Sequence, residues 1–241
     1  MEVTAAMKHF VFVAFMLIAS CKKEATAPLR IAAASDLTEA FTALAPTFEK
    51  EAGVKVSLTF GSSGLLAKQI AEGAPFDLFA SANAQYVENA VKAGACDASS
   101  VKVYARGRLA LLGSVPIDSL ASVRRIAIAN PEHAPYGKAA QQALIRLGTW
   151  DALKPHVVFT ENVRQAVQLA DTGNAAVAFV AWSNVIERDG GVTLVDEGLH
   201  APIEQSLVVC TRGANAEFAR RFVQFLEAEP SRATMQRFGF R

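Results

Sequence analysis

The sequence predicts an α/β protein built from mostly parallel sheets with helices on both faces. Three observations carry that prediction. Short apolar runs alternate with stretches of helical periodicity from residue 29 onward. Helical stretches stop at glycines, namely Gly53, Gly73, Gly94, Gly148 and Gly173. The composition is globular, with 51% hydrophobic and 20% charged residues among 241, and no repeat or low-complexity tract. A net charge of +1 argues against nucleic acid as the main partner, because phosphate binding needs a basic face. The length allows one large domain or two lobes of about 100 residues each.

The N-terminus reads as an address. Lys8 and His9 precede an apolar run from Phe10 to Ala19. That run is shorter than the roughly 20 residues a membrane span needs, and it fits the apolar region of a secretory signal. Ile18-Ala19-Ser20-Cys21 resembles the lipobox of bacterial lipoproteins, which implies lipidation of Cys21. Residues 1–20 are therefore expected to be a signal peptide and 21–28 a tether. Met7-Lys8-His9 makes a better start than Met1, which is followed by Glu2. Cys96 and Cys210 could pair in an oxidising compartment. The sequence alone favours two separate buried thiols.

Leu29–Ala33 reads as the first strand. Ser35 or Asp36 can cap the next helix, whose Leu37, Phe41, Leu44, Ala45 and Phe48 share one face. Pro46 should kink it. Val56, Leu58 and Phe60 alternate as a strand. The Gly61–Gly64 turn leads into a helix with Leu65, Leu66 and Ile70. Asp77–Ala80 is a buried-type strand, followed by a helix over 84–93. A second series begins after Tyr104. Its strands are expected at 109–112, 126–129, 157–159, 176–180, 192–195 and 206–210. Helices fall before Leu147 and from Asn162 to Ala170. Two further helices, around 218–226 and 233–238, are separated by Pro230.

Four strand-to-helix turns share one character: Ala34-Ser35-Asp36, Gly61-Ser62-Ser63-Gly64, Ala134-Pro135-Tyr136-Gly137 and Thr160-Glu161-Asn162-Val163. A helix N-terminus presents unpaired N–H groups and about half a positive charge. Several converging on one point make an oxyanion site that needs no Lys or Arg. Singly, Ser35 and Ser63 read equally well as caps or as ligand donors, and Asn162 reads better as a cap. Two turns fall in each half, which suits a clamp.

The order and spacing of these motifs is similar to the periplasmic molybdate-binding proteins of ABC transporters. The likeness rests on Ala32-Ala33-Ala34-Ser35, Phe60-Gly61-Ser62-Ser63-Gly64-Leu65, Gly73-Ala74-Pro75-Phe76-Asp77-Leu78-Phe79, Ala134-Pro135-Tyr136-Gly137, Leu147-Gly148-Thr149-Trp150, Glu161-Asn162-Val163 and the closing Arg237-Phe238-Gly239-Phe240. It implies a two-lobed periplasmic-binding-protein fold of type II, with two crossing segments as hinge. Lobe 1 would hold 29–104 plus 211–241, and lobe 2 would hold 105–210. It implies molybdate or tungstate held by Ser35 and Ser63 from one lobe and the N–H groups of Tyr136 and Val163 from the other, with Asp36 and Ser62 as further candidates. Some members add a Tyr hydroxyl where this chain has Ala181, which leaves open whether the Tyr136 hydroxyl substitutes. The resemblance also implies docking on a permease with ATPase subunits, and together with the N-terminal signal the chain is expected to be an exported, periplasmic, membrane-tethered lipoprotein acting as a monomer. It implies neither a cofactor nor a bare metal cation.

Molybdate is fully deprotonated at neutral pH and only accepts hydrogen bonds, so a cage of donors suits it. A protonated phosphate would bury an O–H without an acceptor. Asp36 stands against this picture unless it faces away as a helix cap. Facing in, it would accept a proton from hydrogen phosphate. The rival readings are a receptor for another small oxyanion, such as phosphate or sulfate, and a serine hydrolase built on Ser62-Ser63. The hydrolase lacks the Gly-x-Ser-x-Gly spacing and any supporting motif around His133, His156 or His200.

Overall fold

The structure is a computed structural model, and it describes residues 27–241. The signal peptide, Cys21 and most of the tether lie outside the described residues. Among those residues no helix is long and apolar enough to cross a membrane.

The first series comprises β1 (Leu29–Ala34), α1 (Thr38–Ala52), β2 (Val56–Gly61), α2 (Ser63–Ala71), β3 (Leu78–Ser81), α3 (Ala84–Lys92) and β4 (Lys102–Gly107). The second comprises β5 (Leu109–Leu112), β6 (Ile126–Ala129), α4 (Pro135–Arg146), α5 (Trp150–Leu153), β7 (Val157–Thr160), α6 (Val163–Asp171), β8 (Val177–Ala181) and β9 (Val192–Leu194). The chain ends with β10 (Ile203–Val209), α7 (Ala216–Glu227) and α8 (Glu229–Arg237).

Two five-stranded sheets result, ordered β2-β1-β3-β10-β4 and β7-β6-β8-β5-β9. β1 runs parallel to β2 and β3, and β6 runs parallel to β7 and β8. β10 is antiparallel to β3 and β4, and β5 is antiparallel to β8 and β9. β3, β6 and β8 are buried at every position, as strands covered by helices on both faces must be. The expected α/β class and two-lobed architecture are therefore present.

Where the chain crosses between sheets differs from expectation. β4 and β10 both pair in the first sheet, so residues 102–107 and 203–209 sit with the first lobe. The crossings fall between Gly107 and Leu109 and between Leu194 and Ile203, rather than at 104/105 and 210/211. β4 escaped the sequence reading because it is an edge strand. Its Lys102, Val103 and Arg106 are exposed, so no clean apolar alternation marks it.

The C-terminal helices return to the first lobe through aromatic packing. Phe222 of α7 meets Phe41 and Phe48 of α1 edge-on, with ring centroids 5.5 and 5.0 Å apart. Pro46 lies inside α1, which runs through it as one helix. Pro230 sits in the first turn of α8, where its missing N–H costs nothing. Cys96 and Cys210 form a disulfide that staples the end of the α3 segment to β10. This corrects the expectation of two separate thiols. Antiparallel bridging brings their Cα atoms to 3.9 Å, a proximity no sequence spacing reveals.

Candidate functional site

The carboxyl ends of β1, β2, β3, β6 and β7 point toward one another across the lobe boundary, the usual ligand position in parallel sheets. Between them lies a small cavity of about 10 Å³ lined by Ala34, Ser35, Asp36, Gly61, Ser62, Ser63, Ala82, Ala134, Pro135, Tyr136, Asn162 and Val163. All four turns singled out in the sequence contribute to it. Pockets for drug-sized ligands run from roughly 300 Å³ upward, so this one is far too small for an organic ligand and leaves room for one small ion at most. No Lys or Arg lines it, and Asp36 is its one acidic residue. A larger open groove lies behind the hinge, lined by Tyr104, Arg106, Arg108, Glu197, His200 and Arg241 among others. Two of its three arginines are held in ion pairs, Arg106–Glu204 and Arg241–Glu197, and Arg108 donates to the Gly239 carbonyl and stacks on Trp182, whereas all four donor turns meet at the smaller cavity, which is the candidate site.

The donors follow from local structure. Ser63 opens α2, Tyr136 lies in the first turn of α4 behind Pro135, and Val163 opens α6. N–H groups in a first helical turn have no intrahelical partner. Ser35 opens a tight 3-10 turn, Ser35–Leu37, that feeds α1. The Ser63 hydroxyl oxygen accepts the Ala82 N–H at 3.1 Å, which leaves its own hydrogen free to donate. Asn162 is a cap, as one reading had it: its Oδ1 accepts from the N–H groups of Arg164 and Gln165, both at 3.1 Å. That capping fixes the start of α6 and hence the Val163 N–H.

Ser62 is committed elsewhere. Its hydroxyl donates to the His133 carbonyl oxygen at 2.6 Å, with His133 Nδ1 at 2.9 Å. One hydroxyl hydrogen cannot serve both. With it on the carbonyl, Nδ1 carries the hydrogen of the second bond and cannot act as a base toward Ser62. The contact ties the lobes together. So do Gly64 N–H to the His133 carbonyl at 2.9 Å and Tyr86 hydroxyl to the Glu132 carbonyl at 3.1 Å. At the cleft mouth Arg164 pairs with Glu39 at 2.6 Å, and Asn184 Nδ2 donates to Glu39 and to the Ser35 carbonyl. The lobes are closed on each other.

Asp36 is neither a cap nor a group exposed at the cavity mouth. No side-chain bond from it caps the turn or α1, which corrects the cap expectation. The residue is 1% exposed. Its Oδ2 accepts from the Tyr136 hydroxyl at 3.1 Å and from Gln205 Nε2 at 2.7 Å, and Ser183 donates to its carbonyl at 2.7 Å. Burial pushes its carboxyl up to about 7, against the opposing pull of the Tyr136 hydrogen bond. Burial likewise holds the Tyr136 and Tyr104 hydroxyls well above the usual phenol range, with the Asp36 charge adding to both. Because the Tyr136 hydroxyl spends its hydrogen on Asp36, it does not take the place of the Tyr hydroxyl missing at Ala181. Gln205, Tyr104 and Ser183 were not legible as site residues. They reach Asp36 from β10, β4 and the turn after β8, each far away in sequence.

The chain matches the family model described as bacterial extracellular solute-binding protein over residues 29–241. It is 35% identical over 217 residues to the molybdate-binding protein ModA of Rhodobacter capsulatus, covering 87% of this chain and 86% of that protein. It is 33% identical over 227 residues to the molybdate-binding protein ModA of Escherichia coli K12, covering 88% of each. The solved periplasmic molybdate-binding protein of Azotobacter vinelandii superposes with a TM-score of 0.83 at 30% identity, over 88% of this chain and 98% of that one.

Proposed function

We propose, for a chain that belongs to the bacterial extracellular solute-binding proteins, that it captures molybdate for an ABC importer in the cleft between its lobes. The supporting observation is the cavity in which helix N-termini from both lobes converge with no cation among its lining residues. A dianion that only accepts hydrogen bonds satisfies the N–H groups of Ser35, Ser63, Tyr136 and Val163 and the hydroxyls of Ser35 and Ser63 at once. Helix dipoles supply the countercharge. Tungstate, of the same charge and shape, fits the same donors. Sulfate is smaller and would leave donors from one lobe out of reach. Hydrogen phosphate would bring an O–H into a cage of donors, none of which can accept that hydrogen.

Binding works by closure. In the open clamp each lobe shows its N–H groups to water, and the anion bridges them and stabilises the closed form. The closed form is the one a permease with ATPase subunits would accept. Export by the 1–20 signal, anchoring through lipid on Cys21 and action as a monomer complete the reading.

Thermal stabilisation by molybdate, tungstate, sulfate, phosphate and chromate tests it, because a ligand bound only by the folded state raises stability by RT ln(1 + [L]/Kd). Molybdate and tungstate are expected to raise the melting temperature most. Stabilisation by phosphate without molybdate would reassign the ligand, and silence to all five would remove the oxyanion reading.

A further inference from the structure

Asp36 lines the cavity, and its buried carboxyl contacts both lobes with no salt bridge among the described residues. Its Oδ2 receives two donors, Tyr136 from the second lobe and Gln205 from the first, which fills both lone pairs of a carbonyl oxygen. Its Oδ1 is buried with no partner. Gln205 Oε1 and the Tyr104 hydroxyl, in the same cluster, are also buried without partners. An ionised carboxylate so placed leaves a charged oxygen unsolvated, whereas a carboxylic acid places its hydroxyl there and carries no charge.

The charged and titratable neighbours do not reverse this. Glu39 on α1 adds a like charge and is itself paired with Arg164 of α6. Tyr136 on α4 and Tyr104 on β4 are neutral phenols. Arg108, at the crossing from β4 to β5, turns its Nε to the Gly239 carbonyl at 3.1 Å and stacks over Trp182. Burial, with a smaller push from the Glu39 charge and against the pull of the hydrogen bonds to Tyr136, to its own backbone and to Gln205, holds the Asp36 carboxyl up at about 7. A dianion held by the adjacent Ser35 and by Tyr136 acts in the same direction.

Resting on the molybdate reading above, we propose that Asp36 is a proton-carrying latch. It is a positioning residue that, as the neutral acid, takes the Tyr136 hydroxyl across the lobe boundary and holds the Tyr136 N–H against the captured dianion. Tyr136 and Ser183, which cover Asp36, come from the second lobe, so opening returns the carboxyl to water and to its ionised form. Closure on the anion then takes up one proton from solvent. It lands on Asp36, and no other bond is made or broken. The site's donors are N–H and O–H groups, so the proton does not compete with coordination to a metal centre.

Calorimetric titration of the protein with molybdate, between about pH 5 and about pH 8 in buffers of different ionisation enthalpy, tests the latch. Between the carboxyl's ordinary value and its raised one, the bound form holds a proton that the free form has released, so affinity falls as pH rises. The decline is expected to approach tenfold per pH unit over about pH 5 to 7, with uptake of close to one proton. Asp36→Asn keeps the acceptor and mimics the acid. It should bind without proton uptake, with a flat profile, and at least as tightly as wild type near pH 8. Asp36→Ala removes the acceptor and should bind several-fold more weakly than Asp36→Asn throughout. Binding by wild type without proton uptake, a retained slope in Asp36→Asn, or equal affinity of the Asn and Ala variants would each overturn the latch while leaving the ligand assignment standing. Failure of wild type to bind molybdate at any pH would remove both.

Discussion

Gly64→Ala gives a direct measure of how tightly the clamp must close. Gly64 lies in the first turn of α2, and a Cβ built on it would sit 2.8 Å from both the Cβ and the carbonyl oxygen of His133 and 2.9 Å from its Cα. Two of those three atoms are backbone of the opposite lobe, so no rotamer change relieves the overlap. Ordinary contact begins at 3.4 Å, so the second lobe must retreat by more than half an ångström at this point. The retreat stretches the Gly64 N–H bond to His133 and the Ser62 bond to the same carbonyl, now 2.9 and 2.6 Å. It also draws the Tyr136 amide, three residues on, away from the ligand. Overpacking of this kind costs about 1–3 kcal/mol, with about 1 kcal/mol more for each weakened hydrogen bond. Affinity for molybdate should therefore fall by about 3–5 kcal/mol, roughly 100- to 5,000-fold. The ligand-free protein should melt at an unchanged or slightly higher temperature, because the open lobes do not touch here and Ala favours a helix over Gly by up to about 1 kcal/mol. Calorimetry with molybdate and ligand-free thermal unfolding separate the two effects. Wild-type affinity in G64A would show that binding does not need the lobes this close, and the closure argument would fail.

Ser63→Ala removes a hydroxyl whose hydrogen is free and leaves the Ala82 N–H unpaired, so molybdate affinity should fall by about 1–3 kcal/mol in a calorimetric titration. Unchanged affinity would demote Ser63 to a turn residue. The Cys96–Cys210 disulfide closes a span of 114 residues, and its removal by Cys96→Ser with Cys210→Ser should cost about 2–5 kcal/mol in denaturant unfolding, with anion affinity little changed. Arg164→Ala breaks the Glu39 pair at the cleft mouth. Both side chains are partly exposed, 53% and 30%, so the loss should stay within about 1 kcal/mol and shrink further in high salt.

Much of the fold was legible because its signals are local. The glycines that end α1, α3 and α6 work through left-handed or helix-terminal geometry at or beside one residue: Gly53, Gly94 and Gly173 all have φ near +70°. The apolar stripe of α1 and the buried runs of β3, β6 and β8 are periodicities any window reveals. The four donor turns were legible for the same reason, since a strand end, small residues and a helix start are adjacent in sequence. β4 and the start of β10 were not. The exposed edge positions of β4 carry no apolar pattern, the buried start of β10 is polar at Glu204 and Gln205, and the pairing of the two strands depends on the chain's return across the hinge.

By itself the sequence determined that strands would end in helix N-termini carrying Ser35, Ser63, Tyr136 and Val163, because those choices rest on capping, glycine and hydrophobic period within a few residues. Tertiary structure alone decided which hydroxyls are free. Ser63 keeps its hydrogen because Ala82 approaches from β3, and Ser62 loses its own because His133 approaches from the other lobe. It also decided the state of Asp36. Burial is a property of everything packed around a group, and the groups that bury this carboxyl come from β10, α4 and the turn after β8, 100 or more residues away.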